Sequence, residues 1–219
     1  WSYHHILMDG WCIGIIIQEF KEAYKGIINN KKISFPPIKP YSHYINWLER
    51  RNEDASVNYW KNLLASYDKL ATLPGEAGSL KKKIANNRLV ETLIIDEIKT
   101  SSLQKICIKH EVTISTLLQT AWGILLSKYN NVNDVIFGSV VSGRPAELEE
   151  VDNMVGLFIN TIPVRIKFNE DHTVAVLLKD IQAQTLESAQ HQYEPLPKIQ
   201  SLSELGSNLM DHLIIFVNY

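Results

Sequence analysis

Cysteine is scarce in this chain. Cys12 and Cys107 are the only two in 219 residues, which excludes a disulfide framework. Both fall in apolar, helix-spaced stretches, the pattern of reduced thiols in a cytoplasmic protein. A long hydrophobic run is missing as well: nothing approaches the roughly 18 apolar residues that span a bilayer. Charge of one sign is also lacking. Lys and Arg number 22 against 24 Asp and Glu, for a net charge of −2, so nucleic acid and anionic membranes lose their electrostatic basis as partners. There is no internal repeat and no low-complexity tract. Trp1 opens the chain without an initiator Met or a signal-peptide pattern, and Tyr219 follows directly on a strand-like run, so a segment of a longer protein is expected. What is present is a 45% hydrophobic composition, ample for one large domain or two small ones.

Residues 10 to 24 place Ile13, Ile16, Ile17 and Phe20 at helical spacing. Residues 34 to 40 (Ser-Phe-Pro-Pro-Ile-Lys-Pro) read as a stiff extended connector. Residues 41 to 67 read as helical, with Tyr44, Trp47, Leu48, Tyr59, Trp60, Leu63 and Leu64 on the apolar side. Pro74-Gly75 and Lys81-Lys82-Lys83 suggest an exposed linker, dividing residues 1–75 from residues 76–219. Beyond it, Arg88 to Ile95 reads as a strand and Ile98 to His110 as a helix. Residues 113 to 129 carry Ile114, Leu117, Leu118, Ala121, Trp122, Leu125, Leu126 and Tyr129 at i, i+3, i+4, i+7 spacing, with Thr113 placed to cap. Asp134 to Val141 is a β-branched, buried strand. Ile159 to Phe168 is a strand that Pro163 puts at an edge or a bulge. Thr173 to Gln190 is an amphipathic helix, and Leu213 to Val217 a last buried strand. Strands alternating with long helices predict an α/β or α+β layered fold.

The chemistry concentrates at His4-His5-Ile6-Leu7-Met8-Asp9-Gly10-Trp11, directly ahead of the first helix. Metal binding is weakly supported, because adjacent helical residues point apart and a third ligand at useful spacing is missing. Two histidines satisfied by hydrogen bonds are the plainer alternative. Gly10 sits where the loop enters the helix, and free N–H groups there carry partial positive charge. That field favours a neutral, basic imidazole nearby, and the same groups can face a developing oxyanion. Asp9 either orients His5 as in a triad or pairs with a cation and braces the loop; spacing leaves both open. No G-x-S-x-G elbow marks a serine hydrolase. Cys12 reads as a small apolar filler.

His4 to Gly10 matches His-His-x-x-x-Asp-Gly, and the chain here resembles the condensation domains of nonribosomal peptide synthetases, within the wider chloramphenicol-acetyltransferase-like acyltransferases. Tyr41-Ser42-His43-Tyr44-Ile45-Asn46-Trp47-Leu48 is similar to the family's Tyr-x-x-Tyr-x-x-Trp-Leu helix. Further matches are Ile136 to Pro145, Asn153 to Thr161, Ile162-Pro163-Val164-Arg165 and His191-Gln192-Tyr193-Glu194-Pro195-Leu196, in family order from first residue to last. The Ile-Leu-Met form of the loop, followed by Gly-Trp-Cys, resembles the subtype that joins an L-residue donor to an L-residue acceptor. Epimerisation domains share the histidines but usually continue with Ser-Trp after the glycine.

This resemblance implies a chloramphenicol-acetyltransferase-like layered α/β fold, represented by the end of the N-terminal lobe and an incomplete C-terminal lobe. It implies peptide-bond formation between thioesters carried on phosphopantetheine arms of upstream and downstream peptidyl carrier domains, with an adenylation domain in the same or a neighbouring chain and no metal. His5 is then the catalytic histidine. His4 supports the loop, Gly10 allows close approach of the acyl group, and Asp9 pairs with Arg144. Trp11 and Asn160 are candidates for lining the substrate tunnel. Taken alone, Gly143-Arg144-Pro145 reads rather as a turn with a solvated arginine. His43, His110, His172 and His212 are assigned no role, and His191 a structural one. The aromatic set Tyr44, Trp47, Tyr59 and Trp60 is read as core. Val217 stands where the family often has glutamate. Two other functions compete: a non-catalytic module that docks carrier proteins, and an acyltransferase or epimerisation domain of the same superfamily. With much of the first lobe absent, the isolated segment is expected to be weak or inactive and to expose an apolar face.

Overall fold

The β-branched run at 134 to 141 is the centre of the molecule. In a computed structural model describing residues 1–73, 90–169 and 171–217, it forms β1 (Asp134–Val141), flanked by β2 (Asn160–Lys167) and β3 (Leu213–Ile214) in the order β2-β1-β3. β1 and β2 are antiparallel, in register from Asp134 opposite Lys167 to Val141 opposite Asn160. β3 runs parallel to β1 for two residues, Leu213 beside Gly138 and Ile214 beside Ser139. Pro163 is tolerated because β2 is an edge among the described residues and Pro163 lies opposite Gly138. The N–H of Gly138 points the other way, to the carbonyl of His212 at 3.0 Å, so this pair needs no donor from proline.

Helices cover β1 on both sides, which is why its pattern is continuous rather than alternating. Val135 and Phe137 pack with Val164, Ile166, Leu126, Leu177 and Ile181, the latter three on α5 (Ile114–Asn130) and α6 (Val174–His191). Ile136 packs instead with Trp60 and Leu64 of α3 (Glu53–Leu64), with Tyr67, and with Ile199 of α7 (Leu196–Ser201). The remaining helices are α1 (Gly10–Ile28), α2 (Ser42–Glu49) and α4 (Glu97–His110). Thr113 caps α5 as its position suggested, accepting from the N–H of Thr116 at 3.1 Å. Thr173 caps α6 in the same way at 3.3 Å. No helix among the described residues is long and apolar enough to cross a membrane.

Four expectations need correction. The single helical stretch at 41 to 67 is two helices, because Asn52 takes an extended conformation and accepts from the N–H of Ala55 at 3.2 Å, a cap that competes with continuing the first helix. The strand expected from Arg88 to Ile95 is not formed over Val90–Ile95; Leu93 and Ile94 are 87% and 86% exposed, with no strand beside them among the described residues to supply hydrogen bonds. Arg88 and the linker at Pro74-Gly75 and Lys81-Lys82-Lys83 lie outside the described residues. The last strand is neither long nor buried: pairing stops at Ile214, and Ile215 and Val217 are exposed. Finally, α5 turns a different face inward. Its buried side is Thr116, Gln119, Thr120, Gly123, Leu126 and Ser127, while Leu118, Leu125 and Tyr129 are exposed. Small side chains let the helix lie close on the sheet; of the polar ones, Thr120 bonds the carbonyl of Thr116, Ser127 that of Val132, and Gln119 Nε2 donates to Ser139 on β1.

Candidate active site

Asp9 is the fixed point of the histidine loop. It is the N-cap of α1 and is fully buried. Oδ1 accepts from the N–H of Trp11 at 3.1 Å, and Oδ2 accepts from the N–H of Phe158, 149 positions away, at 2.9 Å. Its own N–H donates to the carbonyl of Gly156 at 3.3 Å. Arg144 Nη2 lies 3.7 Å from Oδ1, with side-chain exposures of 5% and 0% for the two partners. The carboxylate that spacing left free to serve either His5 or a cation therefore sits with the cation. No bond from it to His5 occurs among the described residues.

Arg144 does more than face Asp9. Its guanidinium donates to the carbonyls of Val151 and Met154 and lies 3.9 Å from the ring centroid of Phe158. Arginine suits this place because its planar fork serves several acceptors while one face stacks on an aromatic. The 151–158 segment is itself held by Tyr41, whose hydroxyl donates to the carbonyl of Leu157, and by Tyr44 of α2, whose ring centroid is 4.6 Å from that of Phe158. Two glycines make this clasp possible. Gly143 has φ +63°, and a Cβ there would meet the carbonyl oxygen of Phe158 at 1.8 Å. A Cβ on Gly156 would meet the Tyr41 ring at 2.0 Å. Burial and the nearby Asp9 carboxylate raise the Tyr41 hydroxyl above its ordinary pKa, and burial raises that of Tyr44, so both stay protonated and Tyr41 keeps its proton for the Leu157 carbonyl.

The other sequence candidates fall around this clasp. His5 is exposed, in the turn closed by the N–H of Leu7 on the carbonyl of His4 at 3.0 Å. His4 Nδ1 accepts from the N–H of Ile6 at 3.1 Å, an exposed bond within the loop itself. Gly10 begins α1, and Trp11 is 45% exposed. The first-turn N–H of Trp11 is spent on Asp9 and so is not free for an oxyanion. Asn160 donates both amide protons to backbone, to the carbonyls of Gln192 at 2.8 Å and Glu194 at 2.6 Å; its amide ties β2 to the 192–194 segment rather than to the histidine loop. His191 bonds Ser56 at 3.1 Å and stacks on Tyr59. Burial and the Arg51 cation hold its pKa below the ordinary value. His212 accepts from Trp122 Nε1 at 3.0 Å.

Cys12 is the residue that sequence reasoning misread. It is buried, but it is no apolar filler: its sulfur lies within 3.2 to 3.5 Å of polar atoms of Asp9, Arg144 and Gly156. Helical spacing three residues after the cap carried the signal, since it turns that side chain toward the cap's own carboxylate. No cluster of three His, Cys, Asp or Glu able to hold a metal occurs among the described residues.

The layered sheet, the His-His-x-x-x-Asp-Gly loop and its arginine clasp are borne by a chain whose whole length, residues 1–219, matches the condensation-domain family; the chain belongs to that family and has its chloramphenicol-acetyltransferase-like α/β fold. Tyrocidine synthase 2 of Brevibacillus parabrevis is 43% identical over 219 residues, which cover all of this chain and 6% of that protein. Surfactin synthase subunit 3 of Bacillus subtilis (strain 168) is 42% identical over 219 residues, or 17% of its length. Among solved structures, the first condensation domain of the calcium-dependent antibiotic synthetase, in complex with a substrate analogue, superposes with a TM-score of 0.74 at 14% identity, over 98% of this chain and 48% of the other. The chain thus spans a small part of these synthetases and about half of the solved domain.

Proposed function

We propose that this chain carries the reaction centre of a peptide-bond-forming condensation domain in nonribosomal peptide synthesis. The amine of an aminoacyl thioester on a downstream carrier attacks an acyl or peptidyl thioester on an upstream carrier. The C–N bond forms, the C–S bond breaks, and the nitrogen gives up a proton as the thiol departs. The observation that carries this reading is an exposed imidazole, His5, on a loop whose next turn is locked by a fully buried Asp9 paired with Arg144.

The chemistry fits these groups. A thioester is already activated, so the reaction needs an unprotonated amine and two oriented reactants. Orientation supplies up to about 7–11 kcal/mol in favourable intramolecular cases. A positioned general base supplies about 10² to 10⁴ in rate. His5 accepts a hydrogen bond from the attacking amine. His4 and Asp9 hold the loop, Arg144 anchors Asp9, Gly10 leaves room for the acyl group, and Trp11 faces the channel. Both reactants arrive on phosphopantetheine arms of carrier domains, loaded by an adenylation domain. The second half of the channel wall comes from outside these 219 residues, so the segment alone turns over weakly or not at all.

The test is His5→Ala in the full synthetase that contains this segment, with both carriers loaded. Dipeptidyl product is expected to fall by at least 10²-fold, with carrier binding retained. Product at the unsubstituted rate defeats the reading, and unchanged rates with intact carrier binding favour a docking module.

A further inference from the structure

The Asp9–Arg144 pair is slack. At 3.7 Å it is an ion pair but too long for an N–H···O hydrogen bond. The gap is bridged by the sulfur of Cys12, which is 3.5 Å from Asp9 Oδ1 and 3.5 Å from Arg144 Nη2. The same sulfur receives the N–H of Gly156 at 3.3 Å and lies 3.2 Å from the Gly156 carbonyl oxygen, so its one proton has Asp9 and that carbonyl as acceptors within reach. Cys12 is fully buried. A thiol has one donor and weak acceptor lone pairs, and at this position they face an anion, a cation and both backbone polar groups of Gly156.

We infer that Cys12 is a positioning residue for the loop that carries His5, and that its polarity rather than its volume is what the site uses. This rests on the peptide-bond-forming reading above. The argument is geometric. Asp9 stands four residues after His5 and fixes the direction in which the loop enters α1. The carboxylate is oriented by Trp11 and Phe158, but its side toward Arg144 is closed only through the sulfur. Gly156, which Tyr41 prevents from carrying a side chain, presents its bare peptide to the same atom. An apolar residue here strands the Gly156 N–H without its sulfur acceptor and removes the bridge, so the cap, the arginine and the 154–158 segment are no longer held to one distance. A hydroxyl restores both donor and acceptor.

The experiment uses the full synthetase with loaded carriers and compares Cys12→Ala with Cys12→Ser. The inference expects Cys12→Ala to lower kcat at least tenfold with KM for the donor carrier within twofold, and Cys12→Ser to stay within threefold of the unsubstituted rate. Equal rates for the two variants, whether high or low, overturn it. Because Cys12→Ala leaves a small void, Cys12→Thr and Cys12→Val form a second pair of equal shape that differ only in the hydroxyl. Thr exceeding Val tenfold in kcat supports the inference, and Thr equal to Val overturns it. His5→Ala run alongside separates the two levels. If His5→Ala is inactive and Cys12→Ala is not impaired, the positioning role fails while the catalytic reading stands. If His5→Ala is fully active, the catalytic reading fails, and positioning is then decided by the NMR resonance of the His5 ring Cε1–H. A shift in Cys12→Ala that is absent in Cys12→Ser retains the inference, and no shift removes it.

Discussion

Two buried arginines organise this molecule by different means. Arg165, on β2, grips Asp134, on β1, with two short bonds of 2.8 and 2.6 Å, and donates to the carbonyls of Leu63 and Ala65 at the end of α3. Its partner lies diagonally across two paired strands, and the Asp134 side chain is 26% exposed. Arg144 has no such grip. It lies 3.7 Å from a carboxylate with 0% exposure and divides its donors among two carbonyls and a sulfur, with an aromatic ring against its face. The first arginine fastens a helix end to a sheet that already exists. The second, together with the bonds from Phe158 and Gly156 to the start of α1, holds segments far apart in the sequence, and it does so where water cannot replace a lost partner. Burial, not bond length, sets what each is worth: a buried charge left without its partner is far more costly than one that water can reach.

The comparison is broken most directly at Asp9. Asp9→Ala removes the cap of α1 and leaves Arg144 buried without its anion, so a loss of about 3–5 kcal/mol is expected, read by urea unfolding. Asp9→Asn keeps a capping oxygen and is expected to recover about 1 kcal/mol of it. Arg165→Ala is next. It forfeits the bidentate bonds and the two carbonyl bonds, but Asp134 can turn to water, so about 1.5–3 kcal/mol is expected in the same assay. A larger loss at Arg165 than at Asp9 would reverse the ranking and show that bond geometry outweighs burial here. The smallest effect is one of pH, beside a third arginine. Burial and Arg51 hold the His191 pKa below its ordinary value of 6.5. The unfolded chain therefore takes up a proton near pH 6.5 that the folded chain resists. Stability is expected to fall as pH drops below about 6.5 and to level off once the folded ring protonates too. His191→Gln flattens that slope between pH 7 and 5 in urea titrations; an unchanged slope assigns it elsewhere.

Much of this was readable in advance where the signal was local. Thr113 and Thr173 announce their helices because a hydroxyl before an apolar run has one nearby N–H to satisfy. Asp134 to Val141 announces a buried strand because Val135, Ile136, Phe137, Val140 and Val141 are apolar and only Gly138 and Ser139 stand between them. Asn52 was equally local, with Glu53 and Asp54 in the following turn, yet the apolar residues on both sides of it suggested one continuous helix. The buried face of α5 was not readable from apolar spacing, because the helix presents its small and polar side to the sheet. Val90–Ile95 and Leu213–Val217 have strand composition, but a strand exists only where another backbone lies alongside it.

By itself the sequence determined where α5 and α6 begin, which run forms the central strand, and which family the motifs belong to, since each depends on residues a few positions apart. Spacing left open whether Asp9 turns to Arg144 or to His5, and only the family resemblance pointed to the arginine; tertiary structure puts Asp9 beside Arg144, surrounds the Cys12 sulfur with polar atoms and turns the Asn160 amide to the backbone. Those outcomes depend on which groups, as much as 149 positions apart, are driven into the same dry space by packing. No local pattern records that.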